Sequence, residues 1–395
     1  LEKIVMSKVC VVIASLVAGW AAVASAEVIL IGTAEIPGTT ADRSGLIEML
    51  NESIPANRFG GISALEHLGG DEYLALPDRG PLDGAVPFAC RVQRMKIQVR
   101  PAATPAVTAE ILATTMLQDE SGRPLTGAKA AIDTQHPERS LRFDPEGIRA
   151  RGSRWFISDE YGPDVREFSA TGQLVRRFQL PSRLTIAHPN ADPLAENAAN
   201  QTGRQANGGL EGLAISPNGE RLFAIMQRPL LQDSAPSENG KRRGRFNRLL
   251  EINIANGATR EFVYPMTDSS HGVSEILAMN AHEFLVIERD SQEGLAAKCK
   301  QVFRIDVRDA TEVSRVETLP TDELPTEIRP VQKRLFVDLL DPRFGLAGAH
   351  SPEKVEGLAF GPPLPDGRRL LVIAVDNDFR PDRPVLFHAF AFDAE

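Results

Sequence analysis

The chain has 395 residues, with Lys+Arg 44 against Asp+Glu 53, a net charge of −9, and 42% hydrophobic but only 6% aromatic residues. That length suits one large repeat domain better than a single ordinary sandwich. The acidic balance argues against a nucleic-acid surface as the main partner.

The first predicted element is a signal peptide. Lys3 and Lys8 precede an uncharged apolar run over residues 9–24, and Ala24-Ser25-Ala26 gives a small-x-small cleavage pattern. Cleavage after Ala26 would leave residues 27–395 as one periplasmic or secreted domain. The run is short for a membrane span and no later stretch qualifies, so no stable membrane insertion is expected. Two cysteines then remain, Cys90 and Cys299, a disulfide candidate in an oxidising compartment. Neither sits in a zinc-ligand spacing.

An apolar strand is expected over Val28–Ile36, and a helical turn over residues 44–50. A phrase then recurs. Gly60-Gly61-Ile62-Ser63-Ala64, Glu146-Gly147-Ile148, Glu211-Gly212-Leu213-Ala214, Ser274-Glu275-Ile276 and Glu356-Gly357-Leu358-Ala359 each precede a turn, an apolar strand and a polar cluster. Arg91–Val99 alternates polar and apolar residues as a half-buried strand does. Gly69-Gly70, Asn218-Gly219 and Asp366-Gly367 read as hairpin turns. The inserts at residues 188–208, 229–245 and 338–352 read as loops; the second holds the basic run Lys241-Arg242-Arg243-Gly244-Arg245.

Hairpin units repeating every roughly 60 to 90 residues predict an all-β chain folded as a β-propeller. Five blades are plain. A sixth is left open around residues 331–339, where no hairpin is visible. The N-terminal strand Val28–Ile36 is expected to complete the last blade and close the ring, which removes exposed edges.

In a propeller the start of each inner strand and the end of its neighbour share one mouth. Glu146, Glu211, Glu275 and Glu356 stand at the starts, with Asp78, Asp159, Glu160, Glu288, Asp290, Asp376 and Asp378 at the ends. Crowded carboxylates call for counter-cations, and oxygen-only donors favour Ca²⁺ over Mg²⁺ or Mn²⁺. Arg79, Arg228 and Arg289 share the mouth and suit a phosphate. One Glu-Gly copy alone is explained by turn capping and blade-to-blade hydrogen bonds; the recurring set favours a metal or ligand site. His136, His271 and His350 fall shortly before strand starts, where plain loop histidines are the leading reading. No G-x-S-x-G, HExxH or GxGxxG is present.

Arg58-Phe59-Gly60-Gly61-Ile62-Ser63, Asp144-Pro145-Glu146-Gly147, Ser158-Asp159-Glu160-Tyr161-Gly162-Pro163, Asn207-Gly208-Gly209-Leu210-Glu211-Gly212-Leu213-Ala214, Ala224-Ile225-Met226-Gln227-Arg228-Pro229-Leu230 and Glu288-Arg289-Asp290 resemble the signature stretches of the phytase-like family. The resemblance spans nearly the whole of residues 27–395 and implies an exported propeller, with six blades allowed. It implies a Ca²⁺-dependent hydrolase of phosphate esters with Glu146, Glu211, Glu275, Glu356, Asp159, Glu160, Glu288 and Asp376 as metal ligands. A small anionic or ester substrate and a monomer are expected. Two alternatives stay open: a lactonase or carboxylic esterase on the same scaffold, and a ligand-binding propeller with a structural metal. Two departures stand out, Gly60 in place of a glutamate and Gln227 in place of an acid.

Overall fold

The computed structural model describes residues 27–237 and 242–393. The expected signal peptide lies outside the described residues. Among them, twenty of the strands form five four-stranded antiparallel sheets arranged as a five-bladed β-propeller. β1 (Val28–Ile36) opens the chain. The first blade holds β2 (Ile62–Gly69), β3 (Glu72–Pro77), β4 (Arg91–Val99) and β5 (Val107–Met116). The second holds β6 (Pro145–Arg151), β7 (Arg154–Asp159), β8 (Asp164–Ser169) and β9 (Leu174–Phe178). The third holds β10 (Leu210–Ile215) and β11 (Arg221–Met226), continuing after the small hairpin β12 (Ala235–Pro236) and β13 (Arg242–Arg243) with β14 (Phe246–Asn253) and β15 (Thr259–Pro265). The fourth holds β16 (Gly272–Ala278), β17 (Glu283–Arg289), β18 (Lys300–Asp306) and β19 (Gln332–Asp338). The fifth holds β20 (Val355–Phe360), β21 (Arg369–Val375) and β22 (Val385–Phe392), with β1 paired antiparallel to β22 as its outer strand.

β2, β6, β10, β16 and β20 pack against one another around the axis. The apolar residues of the alternating strands meet between blades, so the core is divided among five interfaces. Ile62, Tyr73 and Val372 belong to the one between blades one and five, and Leu74, Ile148 and Trp155 to the one between blades one and two. Phe223, Ile276 and Phe284 pack between blades three and four.

Three expectations change. Residues 44–50 form bends and an isolated bridge rather than a helical turn; the longest helix among the described residues is Pro193–Ala199, whose Asp192 side chain caps the Leu194 and Ala195 amides. The stretch at residues 331–339 is the outer strand of the fourth blade and not a sixth blade. It is hard to read because residues 307–331 first leave the blade as a strap across the third blade's edge. There Val313 N donates to Glu261 O at 2.8 Å and Val331 N to Val263 O at 2.9 Å. Finally, Cys90 and Cys299 are separate buried thiols. Cys90 lies in the core between blades one and two, while Cys299 hydrogen-bonds within blade four.

Candidate functional site

Every inner strand carries a register shift at the same place. Ile62 pairs with Pro77 but Ala64 with Leu76, Leu210 with Met226 but Gly212 with Ile225, and Val273 with Glu288 but Glu275 with Ile287. Pro145/Ile148 and Val355/Leu358 show the same irregularity. The residues set out of register around the ring are therefore Ser63, Glu146, Glu211, Ser274 and Glu356. The glycines that follow the glutamates are required by close approach. A Cβ on Gly147 would lie 2.6 Å from Leu213 N, and one on Gly212 2.6 Å from Ile276 N, both backbone atoms of the next blade.

This alignment moves Glu275 out of the ring. It occupies the glycine position of blade four, and its carboxylate accepts from Leu213 N at 3.1 Å and Ile276 N at 2.9 Å. Arg149 Nη2 lies 3.0 Å from it. Arg149 also donates to Leu65 O at 2.7 Å and Ile276 O at 2.8 Å, so one buried guanidinium joins three blades across the axis. Burial pushes Glu275 up to about 8 against the pull of Arg149.

The ring positions open into a cavity of ≈ 230 Å³ lined by Glu146, Glu211, Ser274 and Glu356 together with Arg79, Arg228, Arg289 and Lys354. One carboxylate oxygen from each of Glu146, Glu211 and Glu356 lies within 4.8 Å of the others, as do those of Asp144, Glu146 and Glu160. All five acids are buried. Ser63 Oγ donates to Glu146 and, at 3.1 Å, to Glu356. Glu211 Oε1 accepts from Gln227 Nε2 at 2.8 Å, whereas its Oε2 has no donor. Burial, then Asp144 and Glu211, raise Glu146 well above the carboxylate range; burial, then Glu160 and Glu356, do so for Glu211. An oxygen-only donor set that is short of positive charge fits a hard divalent cation.

The three arginines differ in how far they are committed. Arg79 donates to Asp144 and Asn207, to Glu160 at 2.9 Å and to Asp83 at 2.9 Å. Arg289 donates to Ser274 Oγ at 2.8 Å and Glu356 at 2.6 Å. Arg228 donates to Gln227 Oε1 at 3.3 Å and forms no ion pair among the described residues. Burial and the nearby Arg289 push it down. The mouth also holds non-glycine residues in the left-handed region, at Asp83 (φ 55), Asn207 (φ 56) and Asp378 (φ 55), a conformation kept where surroundings enforce it.

Other expected ligands lie elsewhere. Asp159 accepts from the Asp144 and Tyr161 amides and pairs with Arg166. Glu288 faces the third blade, accepting from Tyr264 Oη and Thr267 N at 2.9 Å, with His271 Nδ1 at 3.0 Å and Lys333 beside it. Although burial pushes Glu288 up, those partners hold it at about 2. Asp290 pairs with Lys300. Asp376 stays at the mouth, paired with Lys354. Asp144, Lys354, Ser63 and Ser274 were not among the expected site residues. A signal for two of them exists: Asp144 and Lys354 stand two places before a ring glutamate, where the other blades have Gly61, Gly209 and Gly272.

A family model described as "Phytase-like: Esterase-like activity of phytase" matches residues 57–379. An "Uncharacterized secreted protein" of Arthroderma benhamiae is 28% identical over an alignment 293 positions long that covers 58% of this chain and 57% of that protein. The chain thus spans little more than half the length of that relative. Among solved structures, the glutaminyl cyclase of Myxococcus xanthus is similar at TM-score 0.40 and 8% identity, covering 93% of this chain and 98% of the other. A putative oxidoreductase (glucose dehydrogenase) of Thermus thermophilus is similar at TM-score 0.37 and 10% identity, covering 92% and 99%. At those scores neither supplies a residue correspondence.

Proposed function

The chain belongs to the phytase-like family, and from that premise we propose that it is an exported, divalent-cation-dependent hydrolase of small phosphate esters, with Ca²⁺ the expected ion. The observation that carries this reading is one cavity that holds both an undercompensated carboxylate triad and a half-buried arginine without an ion pair among the described residues. Glu146, Glu211 and Glu356 would hold the ion, with Asp144 and Glu160 adjoining. When bound, a divalent ion supplies Lewis acidity toward a phosphoryl oxygen.

The rest falls to the chain's own side chains. Arg228, desolvated and without a carboxylate partner among the described residues, is the group best placed to bind phosphate oxygens. Arg289 keeps Glu356 and Ser274 in place and adds positive charge to the same wall. Arg79 is already engaged by three acids, so its role is to hold Asp144 and Glu160 rather than substrate. Export is supported by the secreted relative, and no helix among the described residues is long and apolar enough to cross a membrane.

The test is metal content of the purified protein after dialysis, followed by turnover of phosphomonoesters, lactones and carboxylic esters with and without Ca²⁺. Phosphomonoester turnover that disappears with chelator and returns with Ca²⁺ is expected. A protein that takes up no divalent ion and leaves every phosphoester intact ends this reading. Lactone turnover alone would transfer the site to carboxylic esters.

A further inference from the structure

The carboxylates of the mouth fall into two halves with different compensation. In one, Glu146 and Glu211 have no ion pair among the described residues, and Glu356 alone is paired, with Arg289. In the other, Asp78, Asp376 and Asp378 surround a single ammonium. Lys354 Nζ lies 2.9 Å from Asp378 Oδ1, 3.2 Å from Asp376 Oδ2 and 4.0 Å from Asp78 Oδ2. The backbone fixes this arrangement, because Asp376 N donates to Lys354 O at 3.0 Å. Asp376 is 6% exposed and its Oδ2 has no hydrogen-bond donor, so it faces the ammonium through charge alone. Lys354 also lines both the mouth and a second cavity of ≈ 570 Å³ beside it.

We propose that Lys354 is a built-in cation that occupies a divalent-ion position among Asp78, Asp376 and Asp378 and confines added metal to the Glu146–Glu211–Glu356 half. The carboxylates come from the ends of two elements, after β3 and after β21, and the lysine before β20 places a positive charge at their centre that offsets their mutual repulsion. A tethered ammonium supplies it with no dependence on ion concentration. The proposal deepens the reading of the mouth as a cation site, and rests on it for the wild-type stoichiometry.

The experiment counts Ca²⁺ bound per chain by calorimetric titration and elemental analysis in wild type, Lys354→Met, Lys354→Gln and Lys354→Arg. The neutral variants should bind one Ca²⁺ more than wild type, and their melting temperature, lowered in chelator, should recover with Ca²⁺. Lys354→Arg should keep the wild-type count. Equal counts in the neutral variants and wild type would overturn the proposal. So would neutral variants that stay unfolded with Ca²⁺ present, because the freed carboxylates would then have rejected the ion. If wild type binds none and the neutral variants bind one, the proposal stands while the proposed metal dependence of the wild-type site falls.

Discussion

Among the single side chains of the mouth, Glu211 is poorly compensated: buried, hydrogen-bonded on one oxygen only, and flanked by Glu160 and Glu356. Glu211→Gln should therefore leave the melting temperature of the metal-free protein unchanged or raised. Loss of a ligand should weaken Ca²⁺ binding by at least about tenfold, read by titration. Arg228 makes the opposite case. Arg228→Gln should change stability by less than about 0.5 kcal/mol yet weaken competitive inhibition by inorganic phosphate by about tenfold or more. Much of this was legible: Glu146, Glu160, Glu211, Glu356, Arg228 and Arg289 stand where the repeat put them. Glu275 and Glu288 do not. Their misplacement has one cause, since a strand's side chains alternate faces and an error of one residue sends a carboxylate to the opposite face. Aligning Glu275 with the glutamates of the repeat hid Ser274, which is the ring residue of blade four. At the strand end it is Arg289, not Glu288, that reaches the mouth.

Among the strands, the bulge and the glycine after it form a unit: the bulge presents a side chain to the mouth, and the missing Cβ lets the next blade close in. Gly212→Ala puts a methyl against the Glu275–Ile276 backbone of the next blade and should cost roughly 1–3 kcal/mol in urea unfolding. Gly272→Ala is the control, because its nearest neighbour would be Gln227 Cγ at 3.5 Å, an ordinary contact. The hairpin turns were read directly from dipeptides, and Gly70, Gly219 and Gly367 do adopt positive φ. Helix Pro193–Ala199 was missed although Asp192-Pro193 is a helix-start signature, because the surrounding polar residues suggested loop. The fourth blade's outer strand was legible only as an orphan segment, since the strap separates it from β18.

For the whole ring, the Arg149 crossing links stability to pH. Burial pushes Glu275 up to about 8 and, with Arg149 opposing, Glu66 up to about 7. The folded state therefore binds protons more tightly than the unfolded chain. These groups contribute fully below their unfolded values, and the contribution is lost as pH rises through about 7 to 8. Glu288 acts at the other end, its contribution present above its unfolded value and lost as pH falls through about 2. Metal-free protein should thus lose stability between about pH 5.5 and about pH 8.5 in urea titrations. Arg149→Met, which strands Glu275 without its partner, should cost about 3–5 kcal/mol at about pH 8.5 and visibly less at about pH 5.5.

The seam where β1 meets β22 has a consequence for the order of assembly. Thr33 Oγ1 and His388 Nδ1, 2.8 Å apart across that seam, are 355 positions apart in the chain. Contacts so distant are the slowest to form, whereas each blade's hairpins are local. Ser63 and Glu356, which meet at the mouth, stand on opposite sides of the same gap. Capture of the proposed cation would therefore report that the circle has closed. In refolding, blade formation should run ahead of Ca²⁺ uptake, with the ion arriving as the final lock.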